Sequence, residues 1–128
     1  RTISICTYVR VQSASREKLL LLLYEACIRY IKTAIQAIDK KDIAARGMNI
    51  GYAFDIINEL NNTLNHEVGG EIAKNLEQLY MFVSEQLTKA NATGDRKPLE
   101  AALKIIETLY AGWVEAIEKI KREEAANK

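Results

Sequence analysis

Cysteine, histidine and proline are scarce, because the 128-residue sequence contains two cysteines, one histidine and one proline. Two cysteines, Cys6 and Cys27, are too few to form a disulfide framework. Cys27 lies among apolar residues, where a cysteine usually serves as a small buried hydrophobic side chain. We therefore expect a reduced protein of the cytoplasm.

A large excess of one charge is also missing, since 18 lysines and arginines stand against 17 aspartates and glutamates. Acidic and basic residues are interspersed, so the charge gives no reason to expect nucleic acid or an anionic membrane as a partner. The most apolar stretch, residues 18–38, is interrupted by Glu25, Arg29 and Lys32. It is therefore too short for a bilayer span of roughly 18 apolar residues. We expect no membrane insertion.

Apolar residues recur at steps of three and four from Ser15 onward, which is the period of amphipathic helices. Polar turns, the glycine pair at 69–70 and Pro98 separate the helical segments. The predicted helices cover about residues 16–39, 42–65, 70–91 and 98–122. Four helices of similar length joined by short loops predict an all-α fold, an antiparallel up-down four-helix bundle within residues 15–124.

Residues 1–14 follow a different pattern, in which apolar side chains alternate at Ile3, Ile5, Val9 and Val11. Alternation is typical of a strand, but a lone strand has no pairing partner in an all-helical domain. We therefore expect an N-terminal arm that is extended or contains a short helical turn, and that lies on the bundle.

The residues that catalysis or metal binding would need are missing. The single histidine, His66, has Thr63 at the position where the Glu-x-x-His pattern of a di-iron bundle requires a glutamate. No CxxC pair, glycine-rich phosphate loop or Ser-His-Asp set is visible. The sequence predicts a protein that is not an enzyme and that has no cofactor.

The helices carry more apolar side chains than a single core stripe requires. On the first helix, the predicted core stripe is Leu20, Tyr24, Cys27, Ile31, Ala34 and Ile38, and further apolar rows flank it. Leu19 and Leu22 point outward. Exposed apolar rows usually mark a partner site. The residues predicted to lie off the core and to contact a partner are Leu21, Ile28, Ile35, Tyr52, Ile56, Tyr80, Phe82 and Leu87.

Two alternatives to a client-binding site would also account for these surplus rows. In the first, the N-terminal arm covers them in the free protein, alone or until a ligand displaces it. In the second, the chain is a homo-oligomeric structural or interaction protein without a client, and a symmetric dimer buries the same rows.

Three stretches of the sequence resemble the flagellin export chaperones, the FliS family. Residues 13–31 read SASREKLLLLLYEACIRYI, where the family has TASPEKLxxMLYxGAIRxL. Residues 53–65 read AFDIINELNNTLN against AQDIIxELNxxLD, and residues 66–80 read HEVGGEIAKNLEQLY against EKGGEIAxNLxxLYDYM. Shorter matches, TKAN and TLYAGWVEA, follow in order. The sequence departs from the family at Arg16 and Met81, which replace a proline and an aspartate, and at Glu85 and Gln86, which replace two arginines.

The resemblance implies a cytoplasmic chaperone, without nucleotide or metal, that binds the disordered C-terminal segment of newly made flagellin. Such a chaperone prevents premature polymerisation and aids delivery to the flagellar export apparatus. The segment is expected to lie on the bundle partly as short amphipathic helices, with the off-core rows as its contacts. The family also has an N-terminal tyrosine associated with docking to the export gate, and Tyr8 is the candidate in this sequence.

Overall fold

The computed structural model describes residues 14–127. Within this range the helices are α1, Ala14–Asp39; α2, Ile43–Asn62; α3, His66–Gly69; α4, Glu71–Thr93; and α5, Lys97–Ala126. No strand occurs among the described residues, and the predicted all-α fold is confirmed. The predicted N-terminal arm lies outside the described residues apart from Ala14, which begins α1.

The four long helices pack in a ring around one core, with α1 and α4 each lying between α2 and α5. At one end of the bundle, Arg96 Nη1 donates hydrogen bonds to both carboxylate oxygens of Asp39 at 2.8 Å. Arg46 Nη2 donates to the carbonyl oxygen of Asn91 at 3.1 Å at the same end. The ends of α1 and α4 therefore meet the starts of α2 and α5. Neighbouring helices run antiparallel, as expected of an up-down bundle.

Local sequence sets the turns at this end of the bundle. Lys41 follows α1 in the left-handed backbone region with φ 59°. The Asp42 side chain then accepts a hydrogen bond from the Ala45 N–H at 3.0 Å and caps the start of α2. Gly94, with φ 73°, ends α4 and donates its N–H to the carbonyl oxygen of Ala90 at 2.8 Å. These caps satisfy backbone groups that the helix ends leave unpaired.

The core of the bundle is built from apolar side chains of all four long helices. Its largest fully buried members include Trp113, Tyr24, Ile31, Ile57, Leu60, Leu87, Leu99 and Ile106. Burial of each large side chain is worth about 1.5–3 kcal/mol. Tertiary packing of this kind, rather than helix propensity, supplies most of the stability of helices in a folded protein.

The buried face of α4 differs from the predicted one. It consists of Ala73, Leu76, Tyr80, Val83, Leu87 and Ala90. Leu79, the neighbour of Tyr80, is only half-buried. Tyr80 enters the core instead, and its hydroxyl forms a hydrogen bond of 2.6 Å with the hydroxyl of Tyr24 on α1. A buried tyrosine usually has such a partner for its hydroxyl. The expectation that Tyr80 and Leu87 lie off the core is therefore wrong.

Candidate partner-binding surface

Large apolar side chains that remain exposed identify the candidate surface. Among residues 14–127 they are Leu19, Leu22, Ile43, Met48, Tyr52, Met81 and Phe82. All of them lie on α1, α2 and α4, and none lies on α5. Single exposed apolar side chains are normal, but a group on neighbouring helices is typical of a partner site. The grooves that these three helices border are therefore the candidate sites.

Several apolar side chains lie on the outer sides of α1 and α2. We define the α1–α2 surface as Leu19, Leu22, Leu23 and Tyr30 on α1 with Tyr52 and Ile56 on α2. Its centre is an aromatic pair, since the rings of Tyr30 and Tyr52 lie 5.1 Å apart. The Arg29 guanidinium stands 5.3 Å from the centre of the Tyr30 ring, in the range of a cation–π contact. This surface offers flat aromatic area with one positive charge beside it.

A pocket opens where this surface meets the end of the bundle. Its apolar lining comes from Leu19, Leu20, Leu23, Leu60, Leu64, Tyr80 and Trp113. Arg16, Glu17 and Thr63 supply its polar rim. An apolar pocket with a few polar groups at its edge can receive one or two large apolar side chains of a partner.

A second depression lies between α2 and α4. We define the α2–α4 groove by its lining residues, which are Phe54, Ile57, Asn58, Asn61, Tyr80, Met81, Ser84 and Glu85. Phe54 is half-buried and packs against the core, whereas 58% of Met81 is exposed. The buried Oδ1 atom of Asn61 has no hydrogen-bond partner among the described residues. The groove therefore combines an apolar floor with polar groups from both helices.

The seam between α1 and α5 differs from these two surfaces, because a hydrogen bond and an ion pair join side chains of the two helices across it. The Tyr110 hydroxyl donates to Glu25 Oε2 at 2.6 Å, and Lys32 Nζ lies 3.7 Å from Glu107 Oε2. The hydrogen bond to Glu25, with smaller contributions from burial and from the charge of Glu25, raises the pKa of Tyr110 above its ordinary value. These contacts span the seam, so it offers less apolar surface than the other two sides.

The predicted contact residues fall into three groups. Tyr52 and Phe82 are exposed, while Leu21, Ile28 and Ile56 are half-buried. Ile35, Tyr80 and Leu87 are buried in the core, so the prediction that they lie off the core is wrong. Tyr8 lies outside the described residues. Partner binding by the exposed and half-buried members stays a prediction.

The structure does not bring the predicted residues together at one site. Leu21 and Ile28 lie on the seam with α5, whereas Tyr52 and Ile56 belong to the α1–α2 surface. Phe82 precedes Ser84 by two positions and so lies on the opposite edge of α4 from the α2–α4 groove.

Sequence reasoning also missed part of the exposed set. It placed Leu19 and Leu22 outward, where they are 53% and 52% exposed, but it did not single out Ile43 or Met48. Both lie near the start of α2. Met48 is two positions from the buried Ile50, so at 100° per residue it lies on the side of α2 opposite the core, and this signal would have found it. Ile43 is seven positions before Ile50 and is nearly in line with the core stripe, so helical position alone would not have shown that it is exposed.

The chemistry of the described residues gives no sign of catalysis. Burial raises the pKa of the Cys27 thiol to about 12, so the thiol stays protonated at neutral pH and is a poor nucleophile. Within residues 14–127 no group of three or more histidine, cysteine, aspartate or glutamate side chains could hold a metal ion. None of the helices in this range is long and apolar enough to cross a membrane.

An apolar core with exposed apolar side chains on three of the described helices is typical of a helical protein-binding module. Comparison with known proteins specifies which one. Residues 7–120 match the family model described as Flagellar protein FliS, and the chain belongs to this family.

Named relatives agree with this assignment. The chain is 35% identical to the Flagellar secretion chaperone FliS of Vibrio cholerae, over 81% of this chain and 76% of the relative. It is 31% identical to the Flagellar secretion chaperone FliSB of Pseudomonas aeruginosa, over 81% and 82% of the two chains. It is 29% identical to the Flagellar secretion chaperone FliS of Bacillus subtilis, over 88% and 84%. These proteins are named as chaperones, so the family is non-enzymatic and acts in flagellar protein export.

Proposed function

We propose that this protein is a cytoplasmic chaperone that binds the disordered C-terminal segment of flagellin. In this proposal it prevents premature polymerisation of flagellin and aids its delivery to the flagellar export apparatus. Family membership supports the role in flagellar secretion. The observation that supports the binding mechanism is the α1–α2 surface, where Leu19, Leu22 and Tyr52 are exposed and the rings of Tyr30 and Tyr52 form a pair.

The physical requirement for such a client is a large apolar surface. A disordered segment loses conformational entropy when it folds on a partner, which costs roughly 2–5 kcal/mol or more of the interaction energy. Apolar burial at about 25 cal/mol per Å² is the main source of compensation. Short amphipathic helices placed along grooves of the bundle would provide that burial.

The proposed contacts centre on the α1–α2 surface and its end pocket. Of the residues predicted from the sequence, Tyr52 and Ile56 belong to this surface. Leu21, Ile28 and Phe82 remain candidates for contacts at other edges of the bundle, because a client that wraps the bundle crosses more than one edge. Ile35, Tyr80 and Leu87 are no longer proposed as partner contacts, because they are buried in the core.

Calorimetric titration with the C-terminal segment of flagellin from the same organism tests the proposal. The variant is Leu22→Ser combined with Tyr52→Ser, which removes two exposed apolar side chains from the α1–α2 surface. We expect binding to weaken by about tenfold or more, since large anchor side chains dominate such interfaces. The thermal unfolding of the free protein should change little, because both side chains are about half exposed.

Ile43→Ser is the matched control. Ile43 is 70% exposed and lies at the start of α2, at the opposite end of the bundle from the pocket. It should leave the affinity for the flagellin segment unchanged. If wild-type protein does not bind the segment, the proposed function is wrong. If the control weakens binding as much as the double variant, the contact is not located on the α1–α2 surface.

Sedimentation equilibrium separates the client-binding protein from a homodimer without a client. A chaperone forms a complex of one chain with one flagellin segment, whereas a dimer keeps its mass when the segment is added. In the dimer case, the Leu22→Ser and Tyr52→Ser variant would change the self-association of the protein instead of its affinity for flagellin.

Docking to the export gate is a separate part of the proposal and rests on Tyr8 alone. If Tyr8 serves this step, Tyr8→Ala should leave the affinity for the flagellin segment unchanged and reduce flagellin export in cells. Equal export by the variant and the wild type would remove Tyr8 from the proposal.

A further inference from the structure

The outward side of the first half of α2 is apolar and uncharged. We define the α2 outer face as four exposed residues, Ala44, Met48, Gly51 and Tyr52. A methyl group at Gly51 would contact no other described part of the chain within 4 Å, so the face is open there. Arg46 is the only ionised residue between positions 43 and 54, and it donates to the carbonyl oxygen of Asn91 on α4. An uncharged apolar helix face of this kind is typical of a contact with another protein surface.

Charges stand at the two ends of this face and have opposite signs. Lys41 precedes α2, and Asp55 follows the apolar stretch. Asp55 is four positions after Gly51 and seven after Met48, so it lies on the same outward side of the helix. Lys41 and Asp55 are both exposed, and within residues 14–127 neither side chain forms an ion pair. Both charges are therefore available to a partner.

This pattern is complementary to itself when two copies of α2 lie antiparallel. Met48 is seven positions from both Lys41 and Asp55. A two-fold axis at Met48 therefore places Lys41 of each copy beside Asp55 of the other, about 10 Å from the axis at 1.5 Å per residue. Met48 is also four positions from both Ala44 and Tyr52. The same axis places the large Tyr52 ring on the small Ala44 of the other copy, and it brings the two Met48 side chains together.

A second copy of the chain thus supplies both the apolar surface and the two charges at the required spacing. A single ion would satisfy one charge and would leave the apolar face uncovered. The contact of one helix face with another is small, and interfaces below about 1,200 Å² belong to weak and transient complexes. The α2 outer face is therefore suited to reversible association and not to a permanent dimer.

We propose that two copies of the free chain associate reversibly through their α2 outer faces, antiparallel and with the two-fold axis at Met48. Two ion pairs between Lys41 and Asp55 fix the register of the pair. Tyr52 also belongs to the α1–α2 surface, so a flagellin segment on that surface separates the two copies. This last step rests on the proposed function, whereas the self-association does not.

Charge reversal tests the register of the pair. Sedimentation velocity should show the wild type as a dimer at high protein concentration and as a monomer on dilution. Lys41→Asp and Asp55→Lys should each weaken the dimer by about fivefold or more at low salt, since each places like charges together twice in the symmetric pair. Aspartate suits position 41, because it tolerates the left-handed backbone found there.

The variant with both changes exchanges the two charges and should restore dimerisation to the wild-type level. Glu115→Lys is the matched control, because Glu115 is an exposed glutamate on α5. It should leave the dimer unchanged.

A disulfide tests the position of the two-fold axis. Met48→Cys, with Cys6 replaced by serine, should form a linked dimer when oxidised glutathione is added, because the two thiols meet at the axis. Cys27 is fully buried and does not compete. Met81→Cys in the same Cys6→Ser background is the control, since Met81 is exposed to a similar extent on α4. It should stay monomeric on a denaturing gel without reductant.

The outcomes separate this inference from the proposed function. A wild type that is monomeric at every concentration overturns the inference and leaves the proposed function standing. A dimer that both charge variants leave unchanged, or equal linkage through Met48→Cys and Met81→Cys, locates the contact elsewhere and overturns it too. The flagellin C-terminal segment should convert the dimer into a complex of one chain with one segment. A segment that binds the intact dimer overturns the separation step, and a segment that does not bind at all overturns the proposed function alone.

Discussion

Two sides of the bundle have very different surfaces. On the seam between α1 and α5, the hydrogen bond from Tyr110 to Glu25 and the ion pair between Lys32 and Glu107 bridge the helices. In the α2–α4 groove, no such bridge joins the helices among the described lining residues, and Met81 is 58% exposed. Both sides carry large apolar residues next to the core.

The comparison shows that apolar periodicity alone does not decide whether a surface is available to a partner. Polar side chains that span a seam hold two helices together and restrict access to the apolar rows beneath. Where such bridges are missing, apolar side chains next to the core stay exposed, as Met81 does on α4. The proposed function would use both kinds of side, one for stability and one for binding.

The largest expected effect is a difference in the free energy of unfolding between a substitution beside the α1–α5 seam and one in the α2–α4 groove. Ile35→Ala on the α1–α5 side should lower the free energy of unfolding by about 2–4 kcal/mol, since it leaves a cavity in the core. Met81→Ala in the α2–α4 groove should change it by about 0.5 kcal/mol or less. Chemical denaturation with urea, followed by circular dichroism, measures both.

Leu87→Ala and Phe82→Ala extend the test on a single helix. Leu87 is fully buried and Phe82 is 41% exposed, so we expect a large loss for the first and a small one for the second. Equal losses at Ile35 and Met81 would contradict the assignment of one side as closed and the other as open.

A smaller effect is expected from the hydroxyl pair that joins the two sides through the core. Tyr24→Phe or Tyr80→Phe should each cost about 1–2 kcal/mol, since each leaves the other hydroxyl without this partner. The double variant should cost less than the sum of the two single changes, because no hydroxyl then remains to be satisfied.

A double-mutant cycle from urea unfolding gives the coupling energy of the two hydroxyls directly. Tyr30→Phe is the control, because Tyr30 lies on the α1–α2 surface and contacts Tyr52 through its ring. Additive losses for Tyr24 and Tyr80 would show that their hydroxyls contribute independently.

The all-helical fold could be predicted because each long helix buries one face, and this burial repeats apolar residues at steps of three and four along the whole helix. Each long helix begins and ends within a few residues of its predicted range. Gly94 and Pro98 mark the turn between α4 and α5 as their backbone properties require. The short helix α3 was not predicted, because four residues are fewer than periodicity can resolve.

The candidate site could be predicted only in part, since side-chain exposure depends on which neighbour faces each row. The sequence placed Tyr80 off the core, among the candidate partner contacts. The structure buries Tyr80, since Tyr24 on a distant helix provides a partner for its hydroxyl. The seam beside Leu21 and Ile28 likewise depends on a hydrogen bond between Glu25 and Tyr110, which are 85 positions apart in the chain.

The smallest expected effect is a dependence of stability on pH at the α1–α5 seam. The hydrogen bond to Glu25, together with burial and the charge of Glu25, raises the pKa of Tyr110 above its ordinary value of 10.0. A raised pKa means that the folded protein holds the phenol proton more tightly than the unfolded chain does. The contribution is therefore fully present below about pH 10 and is lost as the pH rises through the higher pKa of the folded state.

This contribution is measured by thermal unfolding of the wild type and of Tyr110→Phe, from neutral pH up to the highest pH at which both proteins still fold. The wild type should lose more stability than the variant above pH 10, because only the wild type has this phenol to ionise beside Glu25. Glu25→Gln provides the control, since it removes the negative charge and should lower the pKa of Tyr110 in a spectrophotometric titration. Parallel stability curves for the wild type and Tyr110→Phe would show that this hydrogen bond does not help to close the seam, and that apolar packing alone distinguishes it from the α2–α4 groove.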